Sequence, residues 1–236
     1  MITATDAFDI EEPAALLRRE GELRERLAAY FLSMPPLEQQ NAAQRLRTRR
    51  ALSACWDLDI AALLVYRAAG RPLLAGDLNR FLSATLRGAK TMLRGALPVR
   101  LSLSTRPFRS VFQPRMAQLT LLALLRDACL AGAQAVHVSV EVSPRTLRLL
   151  CASDRAGGYP AAAALAKETA ARHGGAFLRP CGSADSLHPF PVMVSALGFS
   201  ARPAAGTAGF SCPSAEELLA NPLSPLYTGL YSVLEE

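Results

Sequence analysis

Across residues 14–34, Leu16, Leu17, Leu23, Leu27, Tyr30 and Phe31 recur at roughly helical spacing between charged positions, the pattern of an amphipathic helix. Pro13 suits its first turn, and Pro35 and Pro36 end or kink it. Residues 37–69 repeat the pattern with Ala43, Leu46, Leu52, Trp56, Ile60, Leu63, Leu64 and Tyr66, and stop at Gly70 and Pro72. Two such helices across a tight Pro-Pro turn predict an antiparallel hairpin. A lone hairpin buries one seam, so its outer apolar residues want a partner, and dimerisation into a four-helix bundle is expected.

Beyond Pro72 short alternating runs appear between helical ones. Asp77 is placed to cap a helix over residues 78–93. Residues 99–104 alternate with period two and residues 108–112 also look strand-like. Pro114 opens a helix that runs to Ala131 and stops at Gly132. Residues 136–142 and 147–152 read as two strands around the Ser143-Pro144 turn. Pro160 opens another helix, ended by Gly174 and Gly175, and residues 176–178 and 191–197 form a last strand pair. Residues 201–213 are rich in Ala, Gly, Ser and Pro and read as a linker; Ser214 then caps a short helix before a Pro-rich tail. Strands joined as hairpins rather than through βαβ crossovers predict an α+β architecture, a mixed sheet covered by helices on one face. The expected domains are 1–76, the helical hairpin; 77–200, the α/β sandwich; and 201–236, linker and short C-terminal helix.

Composition narrows this reading. Of 236 residues half are hydrophobic and only 6% aromatic, which favours close-packed Ala/Leu helices over an aromatic-rich β-sandwich. Residues 116–136 form the most apolar run, but Arg126 and Asp127 interrupt it, so it reads as a buried helix and not a membrane span. No apolar leader follows the acidic start. The five cysteines, Cys55, Cys129, Cys151, Cys181 and Cys212, are scattered and never in a C-x-x-C pair. That fits reduced thiols in a cytoplasmic protein better than a disulfide framework or zinc site. The net charge of +6 is uneven: residues 1–36 hold seven acids and four bases, residues 44–115 fourteen bases and three acids. A basic middle can attract phosphate, nucleic acid or an acidic surface, or be a solvated helix face. No nucleic-acid-binding signature accompanies it.

The order helix, strand pair, acidic glycine loop, helix carries a resemblance. The stretches Ala123-Leu-Leu-Arg-Asp-Ala128, Asp154-Arg-Ala-Gly-Gly158 and His173-Gly-Gly175 resemble, in order and spacing, the asparagine motif, the D-x-G-x-G loop and the helix-ending glycines of sensor histidine kinases, whose ATPase fold is shared with Hsp90. The hairpin resembles the dimerisation and phosphotransfer helices that precede that fold. The resemblance implies that Asp127 stands where the family's asparagine helps hold magnesium, a role an Asp oxygen can fill. It implies that Asp154 and Gly158 hold the nucleotide. ATP and Mg2+ are the implied cofactors, and a response-regulator receiver domain the implied partner beside a second copy. From the residues alone, Asp127 could equally be a helix residue paired with Arg126 or another base, and Asp154 a plain turn.

The chain departs from the family's pattern in several places. Ala123 replaces the first asparagine, Ala156 the middle glycine, and Pro160 and Ala162 the glycines that open the last helix; the lid before that helix is missing. No histidine precedes His137, so the expected phosphotransfer helix offers Tyr30 and Ser33 but no imidazole. No other catalytic set is visible: there is no G-x-S-x-G, Walker loop or H-E-x-x-H. The sequence therefore predicts a degenerate histidine-kinase-like binding or scaffold module, with residual ATP-dependent kinase or ATPase activity as the alternative.

Overall fold

The computed structural model describes residues 21–22, 25–27, 29–31, 33–35, 39–65, 73–155, 157–179 and 193–234. Expectations that rest on Pro13, Pro36, Gly70, Pro72, Ala156, Cys181 or His188 lie outside them. Described residues of the first predicted helix, between 21 and 33, are helical. Helix α1 spans Ala42–Val65. It begins where Asn41 and Gln44 exchange side-chain and backbone hydrogen bonds, each 2.9 Å, a reciprocal cap that meets two of the orphan donors of a helix start.

Strand β1 (Leu74–Asp77) leads directly into α2 (Leu78–Met92), whose Arg80 N–H donates to the Asp77 cap. Strands β2 (Val99–Leu103) and β3 (Arg109–Phe112) precede α3 (Pro114–Leu130). A hairpin of β4 (Val136–Val142) and β5 (Thr146–Ser153) then gives way to α4 (Pro160–Arg172). Strands β6 (Phe177–Leu178) and β7 (Met193–Ser200) follow, then α5 (Ala215–Ala220), α6 (Pro225–Leu230) and a 3-10 turn at Tyr231–Val233.

The main sheet runs β2-β4-β5-β7-β6, and β1 and β3 form a separate two-stranded ribbon. The sheet is mixed, as predicted: β2 and β4 are parallel and the other neighbours antiparallel. One expectation is corrected. β2 reaches β4 through β3 and α3, a crossover connection, because parallel neighbours cannot be joined by a tight hairpin. Alternate residues point inward: Val136, Val138 and Val140 on β4 and Leu147, Leu149 and Cys151 on β5 are buried, whereas His137, Glu141 and Arg148 are exposed on the other face. Helices α2, α3 and α4 supply Leu82, Leu122 and Leu165 to the same core.

A second helical layer lies on these helices. α1 packs on α4 and α6, and α6 also touches α2 and α3. Leu52, Trp56, Ile60 and Leu63 of α1 are buried in these contacts, as are Leu226 and Leu230 of α6. The approach is close because Gly229 lacks a side chain: a Cβ there would lie 2.6 Å from the Trp56 ring. Two further expectations change here. The predicted linker is partly pinned, since Ala75 donates to Ala208 O (2.8 Å) and Phe210 donates to Ala75 O (2.7 Å). The Pro-rich tail contains a buried helix, Pro225 serving as its first turn.

Candidate functional site

Asp127 lies near the end of α3, only 1% exposed. Two groups hold its carboxylate. The Tyr159 N–H donates to Oδ1 at 2.7 Å, and the Arg179 guanidinium forms an ion pair with Oδ2. Arg179 is fixed in turn by an Nε–H bond to Ser195 Oγ on β7 (3.0 Å). The glycine loop lies flush against this pair, and a Cβ on Gly157 would fall 2.3 Å from the Asp127 carboxylate. Arg179 supplies the positive charge that a carboxylate needs to be buried, and each of the two oxygens already accepts a hydrogen bond.

Asp154, at the end of β5, faces a different neighbour. Its carboxylate accepts the Gln134 N–H at 3.0 and 3.2 Å and the Ala135 N–H at 3.4 Å. It thereby closes the turn that carries α3 into β4. Gly158 has open space where a side chain would project. The fold thus brings Asp127 and the loop's Gly157 together and commits Asp154 to backbone donors.

The start of α4 is covered by the N- and C-terminal parts of the chain. The Tyr159 hydroxyl accepts a hydrogen bond from Trp56 Nε1 at 3.0 Å. Arg126, which burial holds below the usual arginine range, sits 5.8 Å from the Trp56 ring centroid and 6.0 Å from that of Tyr159. It donates to Gly229 O (2.8 Å) and Ser232 Oγ (2.6 Å). The base that pairs with Asp127 is therefore Arg179 and not the neighbouring Arg126; Tyr159, Trp56 and Arg179 carry no motif in the sequence. Arg179 had no local signal, because its partner lies 52 residues away; the aromatic at the glycine-loop exit, Tyr159, was the cue available.

His173 is buried and works as a cap. Its Nδ1 faces Thr169 O at 2.7 Å, and Nε2 accepts the Gln113 N–H at 3.1 Å. Accepting through Nε2 requires a neutral ring with the proton on Nδ1. Burial, and secondarily Arg202 and Arg172, lower its pKa to about 4 against the opposing Thr169 bond. His137 is exposed on the open sheet face and lies 2.9 Å from Ser102 Oγ. Burial raises the Cys151 thiol to about 12 and Cys129 to about 11, the condition of inert thiols. Among the described residues, no three His, Cys, Asp or Glu side chains gather as a metal site, and no helix is long and apolar enough to cross a membrane.

No protein-family model matches the sequence, and no curated protein matches it. Solved structures do. The histidine kinase AdeS of Acinetobacter baumannii superposes with a TM-score of 0.50 at 14% identity, over 79% of this chain and 98% of that one. A histidine kinase from Burkholderia phymatum gives 0.47 at 16% identity, over 80% and 99%. The ATP-binding domain of PrrB from Mycobacterium tuberculosis gives 0.42 at 17%, over 56% and 98%. At such identities AdeS, the match of highest TM-score among these, speaks for the fold alone, and this chain has the fold of a sensor histidine kinase.

Proposed function

We propose that this chain is a degenerate histidine-kinase-like signalling protein, a binding or scaffold module in two-component-type signal transduction that does not turn over ATP. One observation carries the reading: Asp127, which by resemblance stands where the family's magnesium-holding asparagine does, is buried against Arg179 and the Tyr159 N–H. A cation could reach it only by displacing Arg179 from a buried ion pair and from its bond to Ser195. Asp154, which by resemblance stands where the family's adenine acceptor does, is occupied by two backbone donors. As arranged, these residues do not fit a magnesium-bound nucleotide. The lack of any histidine before His137 further supports loss of phosphotransfer. A homodimer through the N-terminal hairpin, with a receiver domain docked on it, completes the proposal.

The test is a thermal melt with and without Mg-ATP. Saturation at a hundred times the dissociation constant would stabilise the fold by about 2.7 kcal/mol; the expected result is no shift at millimolar nucleotide. A second reading keeps ATP and Mg2+ as ligands through Asp127, Asp154 and Gly158 and gives the chain residual kinase or ATPase activity on a partner. It is favoured only by the open space at Gly158. It requires a melting shift that Asp154→Ala abolishes, and acid-labile labelling of the chain or a partner by radiolabelled ATP would establish it in place of the first.

A further inference from the structure

We propose that a cleft beside the β1–β3 ribbon binds a small phosphate-bearing ligand through Arg80, Arg109 and Arg202. The cleft has a volume of about 630 Å3, and these three arginines line it. That volume lies within the range of small-molecule sites, about 300–1,000 Å3. The arginines come from three places in the chain: the first turn of α2, the start of β3 and the segment just after β7.

Their charge is only partly balanced. Asp77 is the one carboxylate in the lining, and its Oδ1 already accepts the N–H groups of Arg80 and Phe108, each at 3.1 Å. Ion pairs among the described residues join Arg115 to Asp59, Arg148 to Glu141 and Arg179 to Asp127; none includes Arg80, Arg109 or Arg202. The adjoining cavity, about 510 Å3, shares Arg80 and Asp77 and adds Arg87 and Glu216, so two arginines there face two carboxylates. Three arginines against one carboxylate leave the lining net positive, and such a cleft attracts an anion. Guanidinium forks match phosphate oxygens in pairs, which favours phosphate over a monovalent halide.

The cleft is also preformed. The Arg202 N–H donates to Ser110 Oγ at 3.0 Å, which ties that segment to β3 next to Arg109. Phe210, Ser211 and Cys212 also line it; the Phe210 N–H donates to Ala75 O on β1, and its ring packs against Phe81 and Phe112 at centroid distances of 5.2 and 5.7 Å. Neither Asp127, Asp154 nor Gly158 lines this cleft, so the inference stands apart from the fate of the ATP site.

Titration calorimetry of the full chain with inorganic pyrophosphate, at constant ionic strength and without magnesium, tests it. Saturable one-to-one binding is expected, weakened at least about tenfold by Arg109→Ala with Arg202→Ala, since both lost forks contact the same anion. The matched charge control, Arg94→Ala with Arg100→Ala, should bind like the parent. If the first double variant does not fold, Arg109→Gln and Arg202→Gln singly should each weaken binding about threefold or more. A parallel titration with AMP identifies the source: tighter binding than pyrophosphate means a nucleotide, equal or weaker binding means the phosphate group alone. No saturable binding to either probe would overturn the proposal. So would equal loss in the control variant, which means net charge only, or a short RNA duplex that pyrophosphate fails to displace from these arginines.

Discussion

At the scale of single residues, the Asp127–Arg179 pair decides what the site can do. Arg179→Met would leave a carboxylate buried without its counter-charge, and Asp127→Asn would leave the guanidinium without its anion. Each single substitution is expected to cost about 3–5 kcal/mol, and the double variant clearly less than their sum, because it leaves no unpaired charge. Urea unfolding of the four proteins measures this; additive losses would mean that the pair is not a unit. His173 makes a second prediction. Its ring is neutral when folded, with a pKa near 4 against 6.5 for a free histidine. Between these values the unfolded chain binds a proton that the folded chain does not, so stability falls as pH drops from about 6.5 towards 4, by at most about 1.4 kcal/mol per unit. Above that window the contribution is complete. The charges of Arg202 and Arg172 oppose its charging. His173→Asn is expected to flatten the stability profile across the window, read from melting temperatures at stepped pH.

Among the elements, α1 carries the most specific expectation. Trp56 is fully buried, bonds the Tyr159 hydroxyl, stacks with Arg126 and fills the space over Gly229. Trp56→Ala should cost about 3–5 kcal/mol. It should also speed hydrogen exchange in α1 more than in β4 and β5, since α1 holds to the body through that contact set. Uniform acceleration in all elements would instead mean that α1 opens only with the whole fold. The elements also mark what the sequence makes legible. Helix starts at Asp77, Pro114, Pro160 and Ser214 were readable because caps and first-turn prolines act locally. The alternation of Val136, Val138 and Val140 gave β4 for the same reason. β1 was missed: Leu-Ala-Gly-Asp is four residues with no alternation, and its hydrogen bonds come from Phe112 and from residues 208–210 far along the chain. α6 was missed because its proline looked like tail composition, although Pro is equally a helix start. Site geometry was the least legible part. The motif order located Asp127 and Asp154, but their partners Arg179 and Gln134 are set by tertiary packing.

For the whole molecule, the dimer expected from the predicted hairpin depends on what α1 leaves exposed for a second copy. The sequence argument for a dimer was that the hairpin's outer apolar residues need a partner. Much of that need is met within the chain, because Leu52, Trp56, Ile60 and Leu63 are covered by α4 and α6. The large apolar side chains still exposed among the described residues are Leu46, Leu130 and Leu178. Leu46 and Leu130 line one cavity of about 550 Å3 on the α1 side, whereas Leu178 sits on β6 at the sheet edge. A stable interface buries about 1,200–2,000 Å2 in all, more than two leucines supply, so a hairpin dimer must spread from Leu46 onto the first helix. Leu46→Glu would then place charge inside the interface and turn the dimer into monomers, while Leu178→Glu would leave it intact. Light scattering coupled to size exclusion reads both. A monomer in the parent protein would remove the dimer from the proposal, and dissociation by Leu178→Glu alone would move the interface to the sheet edge.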